Sequence, residues 1–243
     1  MIGACLALFL AASASAEEVL VSAAASLKDV LEAAAPAFEK REPGVQLVFN
    51  LGASGQLRMQ VENGAPVDAF LSAGVSDMDA LERKGLLLPG TRADVAGNAL
   101  VLIRSRARPP RVWRVDDLAL KGVSRVAMVN PVTSPAGRYA RQALEKRGLY
   151  DKLKGKLIFA ENVRQVLDYV ARDEADAGFV YKTDALIEPK AELVETVPPD
   201  AHEPILYPAA ALKTGKNPDG AKKFVEYLRS KQGAALFRRH GFR

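Results

Sequence analysis

Short apolar runs of strand length alternate along the chain with stretches whose apolar residues recur at helical spacing. Val19-Leu20-Val21 is the first run, closed by Ser22 to Ser26, after which Leu27, Val30, Leu31, Ala34 and Phe38 mark one face of a helix. Ser26 with Asp29 forms an S-x-x-D capping pattern at its start, and Pro36 is expected to kink or end it. Val45, Leu47 and Phe49 alternate as a second strand, followed by Gly52-Ala53-Ser54-Gly55 and a helix from Gln56 to Glu62, stopped by Asn63-Gly64. Ala69-Phe70-Leu71 is a third strand, Ser76 with Asp79 another capping pattern, and Gly85 the stop of that helix.

The order continues beyond a long apolar run, Asn98 to Ile103. Arg125 to Val129 predicts a strand, and Ser134-Pro135 the cap and first residue of a helix that runs to Arg147 and stops at Gly148. Leu157-Ile158-Phe159 is the next strand, Glu161-Asn162-Val163 a helix start, Ala177 to Tyr181 a strand, and Glu192 to Val197 a further apolar segment. A last apolar run, Ile205 to Leu212, leads to Asn217-Pro218 and a C-terminal helix through Leu228.

Such alternation predicts an α/β protein with parallel or mixed sheets flanked by helices. If the runs at Asn98 to Ile103 and Ile205 to Leu212 are crossings, the chain forms two lobes, residues 17–97 with 206–243 and residues 98–205, and a ligand lies in the cleft between them. A single doubly wound sheet is the other architecture compatible with this order.

Four predicted strand-to-helix turns share one feature. Ala25-Ser26, Ala53-Ser54, Pro135-Ala136 and Asn162-Val163 each place small or neutral residues at a helix N-terminus, where backbone N–H groups lack partners and carry partial positive charge. Facing one cleft, they would hold an anion without any lysine or arginine. Tyr181, at the carboxyl end of its strand, adds a phenolic hydroxyl to the same edge. Taken singly, each has a plainer role: Ser26 and Ser54 as N-caps, Ala136 and Val163 as packing residues, Tyr181 as a half-buried ring with a wet hydroxyl.

Composition narrows the chemistry. With 243 residues, 49% hydrophobic and 26% charged, the chain has the balance of a folded protein. Met1 to Ala16 carries no charged side chain, is apolar from Ile2 to Ala12 and ends Ala14-Ser15-Ala16, the pattern of a signal peptide (residues 1–16) cleaved after about Ala16, which predicts export to the periplasm. Cleavage removes Cys5, the only cysteine, so disulfides, thiolate catalysis and cysteine metal sites are excluded from the mature chain. Ile2-Gly3-Ala4-Cys5 faintly resembles a lipid-attachment box but leaves no room for its own apolar region.

The net charge is +5, with Arg104, Arg106, Arg108, Arg111 and Arg114 close together. Pro109-Pro110 and Trp113 as the lone aromatic make this a solvated loop rather than a nucleic-acid surface. The histidines are His202 and His240 only, and Gln56 stands where a G-x-S-x-G elbow needs its second glycine, so a serine hydrolase lacks its base and its turn. No P-loop, G-x-G-x-x-G turn, H-E-x-x-H or calcium loop occurs.

Seven segments, in order over nearly the whole mature chain, resemble the periplasmic molybdate-binding proteins that feed ABC importers. They are Ala23 to Leu27, Gly52 to Leu57, Asn63 to Ala73, Gly97 to Val101, Pro135 to Ala140, Glu161 to Arg164 and Gly178 to Ala185. The resemblance implies a two-lobed, type II-like binding protein, not an enzyme, that needs no cofactor, binds molybdate and tungstate through uncharged donors, acts as a monomer and delivers the oxyanion to a permease in the inner membrane. Carried over by residue, it implies hydroxyl donors at Ser26, Ser54 and Tyr181 and backbone N–H donors at Ala136 and Val163. The same fold would serve sulfate or another tetrahedral oxyanion. Gly55, where some relatives have serine, implies a looser loop beside the ligand, and Asn130 stands where aspartate is often seen.

Overall fold

The computed structural model describes residues 16–243 apart from 108 and 110. The predicted signal segment up to residue 15, with Cys5, therefore lies outside the described residues. The strands are β1 (Glu17–Ala24), β2 (Val45–Gly52), β3 (Ala69–Leu71), β4 (Ala93–Gly97), β5 (Leu100–Ser105), β6 (Val126–Val129), β7 (Leu157–Ala160), β8 (Ala177–Tyr181), β9 (Ala191–Thr196) and β10 (Leu206–Ala211). The helices are α1 (Lys28–Arg41), α2 (Ser54–Glu62), α3 (Val75–Arg83), α4 (Pro135–Lys146), α5 (Tyr150–Leu153), α6 (Val163–Ala171), α7 (Lys182–Ile187), α8 (Pro218–Arg229) and α9 (Lys231–Arg239). Among the described residues no helix is long and apolar enough to cross a membrane.

Two mixed sheets result, which excludes the single doubly wound sheet. The first has the order β2-β1-β3-β10-β4 and the second β7-β6-β8-β5-β9. Their directions match: β1 runs parallel to β2 and β3 while β10 opposes β3 and β4, and β6 runs parallel to β7 and β8 while β5 opposes β8 and β9. The reversed strand of each sheet, β5 or β10, is the one entered just after the chain crosses from the other sheet. β5 is buried along its length, which is why Leu100 to Ile103 reads as an unbroken apolar run instead of an alternating one. The crossing segments bind each other, Asn98 N–H donating to the Ile205 carbonyl at 3.2 Å.

Several local signals were overruled by long-range partners. Pro36 does not end α1, which continues to Arg41. Proline removes the hydrogen bond to the carbonyl four residues earlier, but Glu32 and Pro36 are both exposed, so water can satisfy that carbonyl. Meanwhile Ala34 and Phe38 hold the helix on the core, with the Phe38 ring 5.1 Å from Phe224 and 5.7 Å from Tyr227. Neither S-x-x-D pattern caps its helix: Asp29 pairs with Arg164 at 2.6 Å, Ser76 accepts from Arg138 at 2.8 Å, and Asp79 pairs with Arg92 at 2.6 Å. Stops at Gly64, Gly85 and Gly148 are as predicted, each with φ between +63° and +87°. β4 and α9 lie outside the predicted elements; β4 exists because β10 supplies its ladder.

The basic run is also not one solvated loop. Arg104 lies in β5, buried, paired with Glu192 at 2.9 Å, donating to the Val112 carbonyl at 2.7 Å and stacked over Trp113 at 4.1 Å.

Candidate functional site

The carboxyl ends of β1, β2, β6, β7 and β8 meet between the two sheets, and the turns that follow them enclose a small cavity. Ser26, Ala53, Ser54 and Ala73 line it from the first sheet's side, and Ser134, Asn162, Val163 and Tyr181 from the second's. The structure thus brings together four of the five residues singled out in the sequence. The fifth, Ala136, is buried two residues inside the α4 N-terminus, while the cap of that helix, Ser134, faces the cavity. No lysine, arginine, aspartate or glutamate lines the cavity, and neither histidine does.

On the second sheet's side the donors are peptide groups and the Tyr181 hydroxyl. Asn162 caps α6 with its side chain, accepting from the N–H groups of Arg164 and Gln165, which leaves the Val163 N–H as the uncommitted first-turn donor. α4 starts with Pro135, which has no N–H, and Ser134 makes no side-chain cap, so the N–H groups of Ala136 and Gly137 stand at a bare helix end. Gly137 is required there: a Cβ would meet the Val129 carbonyl oxygen at 2.3 Å, so only glycine lets α4 start this close to β6.

On the first sheet's side the donors are hydroxyls. Ser26 sits in a 3-10 turn, Ala25–Leu27, and Ser54 is the first residue of α2; neither acts as an N-cap. The Ser54 Oγ accepts the Ala73 N–H at 3.0 Å, which leaves its own hydrogen free to donate. The Ser26 Oγ lies 3.0 Å from the Tyr207 hydroxyl. The Tyr181 hydroxyl donates to the Ala73 carbonyl at 3.2 Å, so Ala73 ties two of the singled-out residues together. Tyr181 is buried completely rather than half-wet, and burial pushes its phenol, like that of Tyr207, well above the ordinary tyrosine range. Both therefore remain protonated donors. Ala73, Asn98 and Tyr207 escaped the sequence reading because their contacts join segments far apart in the chain; a buried polar residue inside an apolar run, as Asn98 and Tyr207 are, was the available signal.

The two halves are clasped around the cavity. The Gly55 N–H donates to the Thr133 carbonyl at 3.0 Å, and a Cβ on Gly55 would meet that oxygen at 2.5 Å. Gly55 therefore does not loosen a loop; it lies in α2 and lets the backbone of that helix meet the Thr133 carbonyl. Arg138 on α4 reaches Asp77 at 2.7 Å on α3, and Arg164 on α6 reaches Asp29 at 2.6 Å on α1. Arg164 Nε also lies 2.9 Å from Asp184 Oδ1, close enough for an ion pair but not aligned as a hydrogen bond. Burial raises the Asp184 carboxyl to about 6 against the opposing pull of Arg164 and of the Tyr181 N–H.

Two sheets of matching topology with a pocket of uncharged donors between them define a two-lobed periplasmic binding protein. The chain matches the bacterial extracellular solute-binding proteins over residues 19–243 and belongs to that family. It is 38% identical to the molybdate-binding protein ModA of Escherichia coli, over 99% of this chain and 95% of that one. A putative molybdenum ABC transporter substrate-binding domain from Clostridium difficile is 41% identical, with a TM-score of 0.70 over 93% of this chain and 98% of that one. The periplasmic molybdate-binding protein of Azotobacter vinelandii superposes with a TM-score of 0.83 at 27% identity, again over 93% and 98%.

Proposed function

We propose that this protein captures molybdate, and tungstate with it, outside the cytoplasm and delivers the oxyanion to an ABC permease in the inner membrane. Ser26 and Ser54 donate from their hydroxyls, Tyr181 by turning its single hydrogen from the Ala73 carbonyl to the anion, and Ala136 and Val163 from their backbone N–H groups. The observation that carries this reading is a cavity walled by uncharged donors from both sheets, in a chain whose full-length relatives are named for molybdate. A dianion entering the cleft sheds its water and must regain a hydrogen bond at every oxygen. Each bond to a charged group contributes about 1.5 to 3 kcal/mol, so a handful offsets dehydration and leaves roughly −8 kcal/mol, the micromolar range. Fixed N–H groups measure the tetrahedron and so favour molybdate over the smaller sulfate.

The lobes of this reading are residues 17–97 with 206–243 and residues 98–205, acting as a monomer. The protein works in the periplasm after cleavage near Ala16, without cofactor or catalysis. Calorimetry of the ligand-stripped mature protein against molybdate, tungstate, sulfate and phosphate tests it. Molybdate and tungstate should bind alike and far more tightly than sulfate; tight sulfate binding without molybdate heat overturns the assignment.

A further inference from the structure

We propose that Asn98 and Tyr207 are positioning residues that fix Ser26 as a hydrogen-bond donor to the bound anion, through a one-way relay from Asn98 to Tyr207 to Ser26. The inference rests on the molybdate reading and on Ser26 being a ligand residue. A serine hydroxyl can donate or accept, and an oxyanion accepts only, so a serine that presents its lone pairs repels the ligand. What points the hydrogen the right way is the chain of partners behind it.

The direction is set at the crossing between the lobes. The Asn98 side-chain oxygen accepts the Ala99 N–H at 2.9 Å, and a flipped amide would set two donors against each other there. The Asn98 amide nitrogen therefore faces the other way and donates twice, to the Thr183 hydroxyl at 2.9 Å and to the Tyr207 hydroxyl at 3.2 Å. Tyr207 is fully buried, so its own hydrogen finds no water, and the Ser26 Oγ at 3.0 Å is the acceptor beside it. Tyr207 donates, the Ser26 oxygen accepts, and the Ser26 hydrogen is left for the cavity that Ser26 lines. Ser54 reaches the same state by a shorter route, from the Ala73 N–H. The Tyr207 ring is held independently, edge-on to Tyr181 at 5.8 Å and to Phe242 at 5.4 Å, so removal of its hydroxyl leaves the packing in place. Because the Asn98 backbone also joins the two crossing segments, the relay starts where the chain passes between the two sheets.

The test is a pair of double-mutant cycles read by calorimetry with molybdate, with melting temperature recorded for each protein. Y207F removes the relayed hydrogen; N98D replaces the donor by an acceptor, which turns the Tyr207 hydrogen away from Ser26. Y207F should weaken molybdate about fivefold with Ser26 present and less than twofold in an S26A background. N98D should cost more than Y207F, and the part beyond its charge, which acts equally in both backgrounds, should vanish with S26A. Equal losses with and without the Ser26 hydroxyl, in either cycle, overturn the relay even where wild-type binding is intact, since a merely structural role lowers affinity in both backgrounds alike. Absence of molybdate binding to the wild type instead overturns the parent reading, and with it the relay. Should Y207F fail to fold, the N98D cycle decides alone.

Discussion

The two halves of the molecule use the same sheet pattern to make different kinds of donor. In the second half, α4 begins with an uncapped first turn and the Asn162 cap of α6 leaves the Val163 N–H uncommitted, so apart from the Tyr181 hydroxyl the donors are backbone N–H groups whose direction is fixed by the helix itself. In the first half, the chain leaves β1 through a 3-10 turn and enters α2 at Ser54, and the donors are side-chain hydroxyls whose direction is set by neighbours, Tyr207 for Ser26 and Ala73 for Ser54. The lesson is that a backbone donor needs only local structure, whereas a hydroxyl donor needs an outer layer to tell it which way to point. Donor direction is therefore fixed in the second half mainly by helix geometry and in the first by a hydrogen-bond network.

The largest expected effect comes from keeping the halves apart. Gly55→Ala sets a Cβ 2.5 Å from the Thr133 carbonyl oxygen, and overpacking of that kind costs about 1 to 3 kcal/mol, so molybdate should weaken by roughly 10- to 100-fold in calorimetry. Unchanged affinity would mean the glycine has no part in closure. Next, Tyr181→Phe removes one hydroxyl from a buried site and should cost roughly tenfold, about one hydrogen bond to a charged group. If binding is untouched, Tyr181 holds only Ala73 and the donor set shrinks to four.

A smaller effect is expected at the clasp. Arg138→Gln breaks the pair with Asp77 across the cleft but leaves Asp77 its partner Arg58 at 3.1 Å. The loss should be about threefold at low salt and fade as ionic strength rises. Persistence of the full loss in high salt would assign Arg138 a packing role instead.

The last is a pH effect on stability. The Asp184 carboxyl, raised to about 6 by burial, binds its proton more tightly in the folded protein than in the unfolded one. The stability it contributes is complete below the ordinary carboxyl range and is lost as pH rises through about 6. The melting temperature of the wild type should therefore rise relative to Asp184→Asn as pH is lowered from 7 toward 4. A difference that stays flat or reverses would show that Arg164 outweighs burial.

The turns themselves were readable from the sequence. Gly64, Gly85 and Gly148 stop helices because only a residue without Cβ takes positive φ without strain, and Asn162 and Asn217 cap because a short side-chain acceptor sits beside free N–H groups. Those are local rules. They failed where a distant charge competed: Asp29 and Asp79, placed to close capping patterns, were taken by Arg164 and Arg92. They failed again at Arg104, where a run of arginines suggested solvent and Glu192 with Trp113 supplied a buried seat.

By itself the sequence determined the alternation of strands and helices, the positions of the small-residue turns, and the family resemblance, because periodicity, caps and glycines act over a few residues. Only the tertiary structure decided that the chain forms two sheets instead of one, that Gly55 lies against Thr133, and that Tyr207 stands behind Ser26 at a separation of 181 positions. Register and burial bring such residues together, and no local pattern encodes which distant group will arrive.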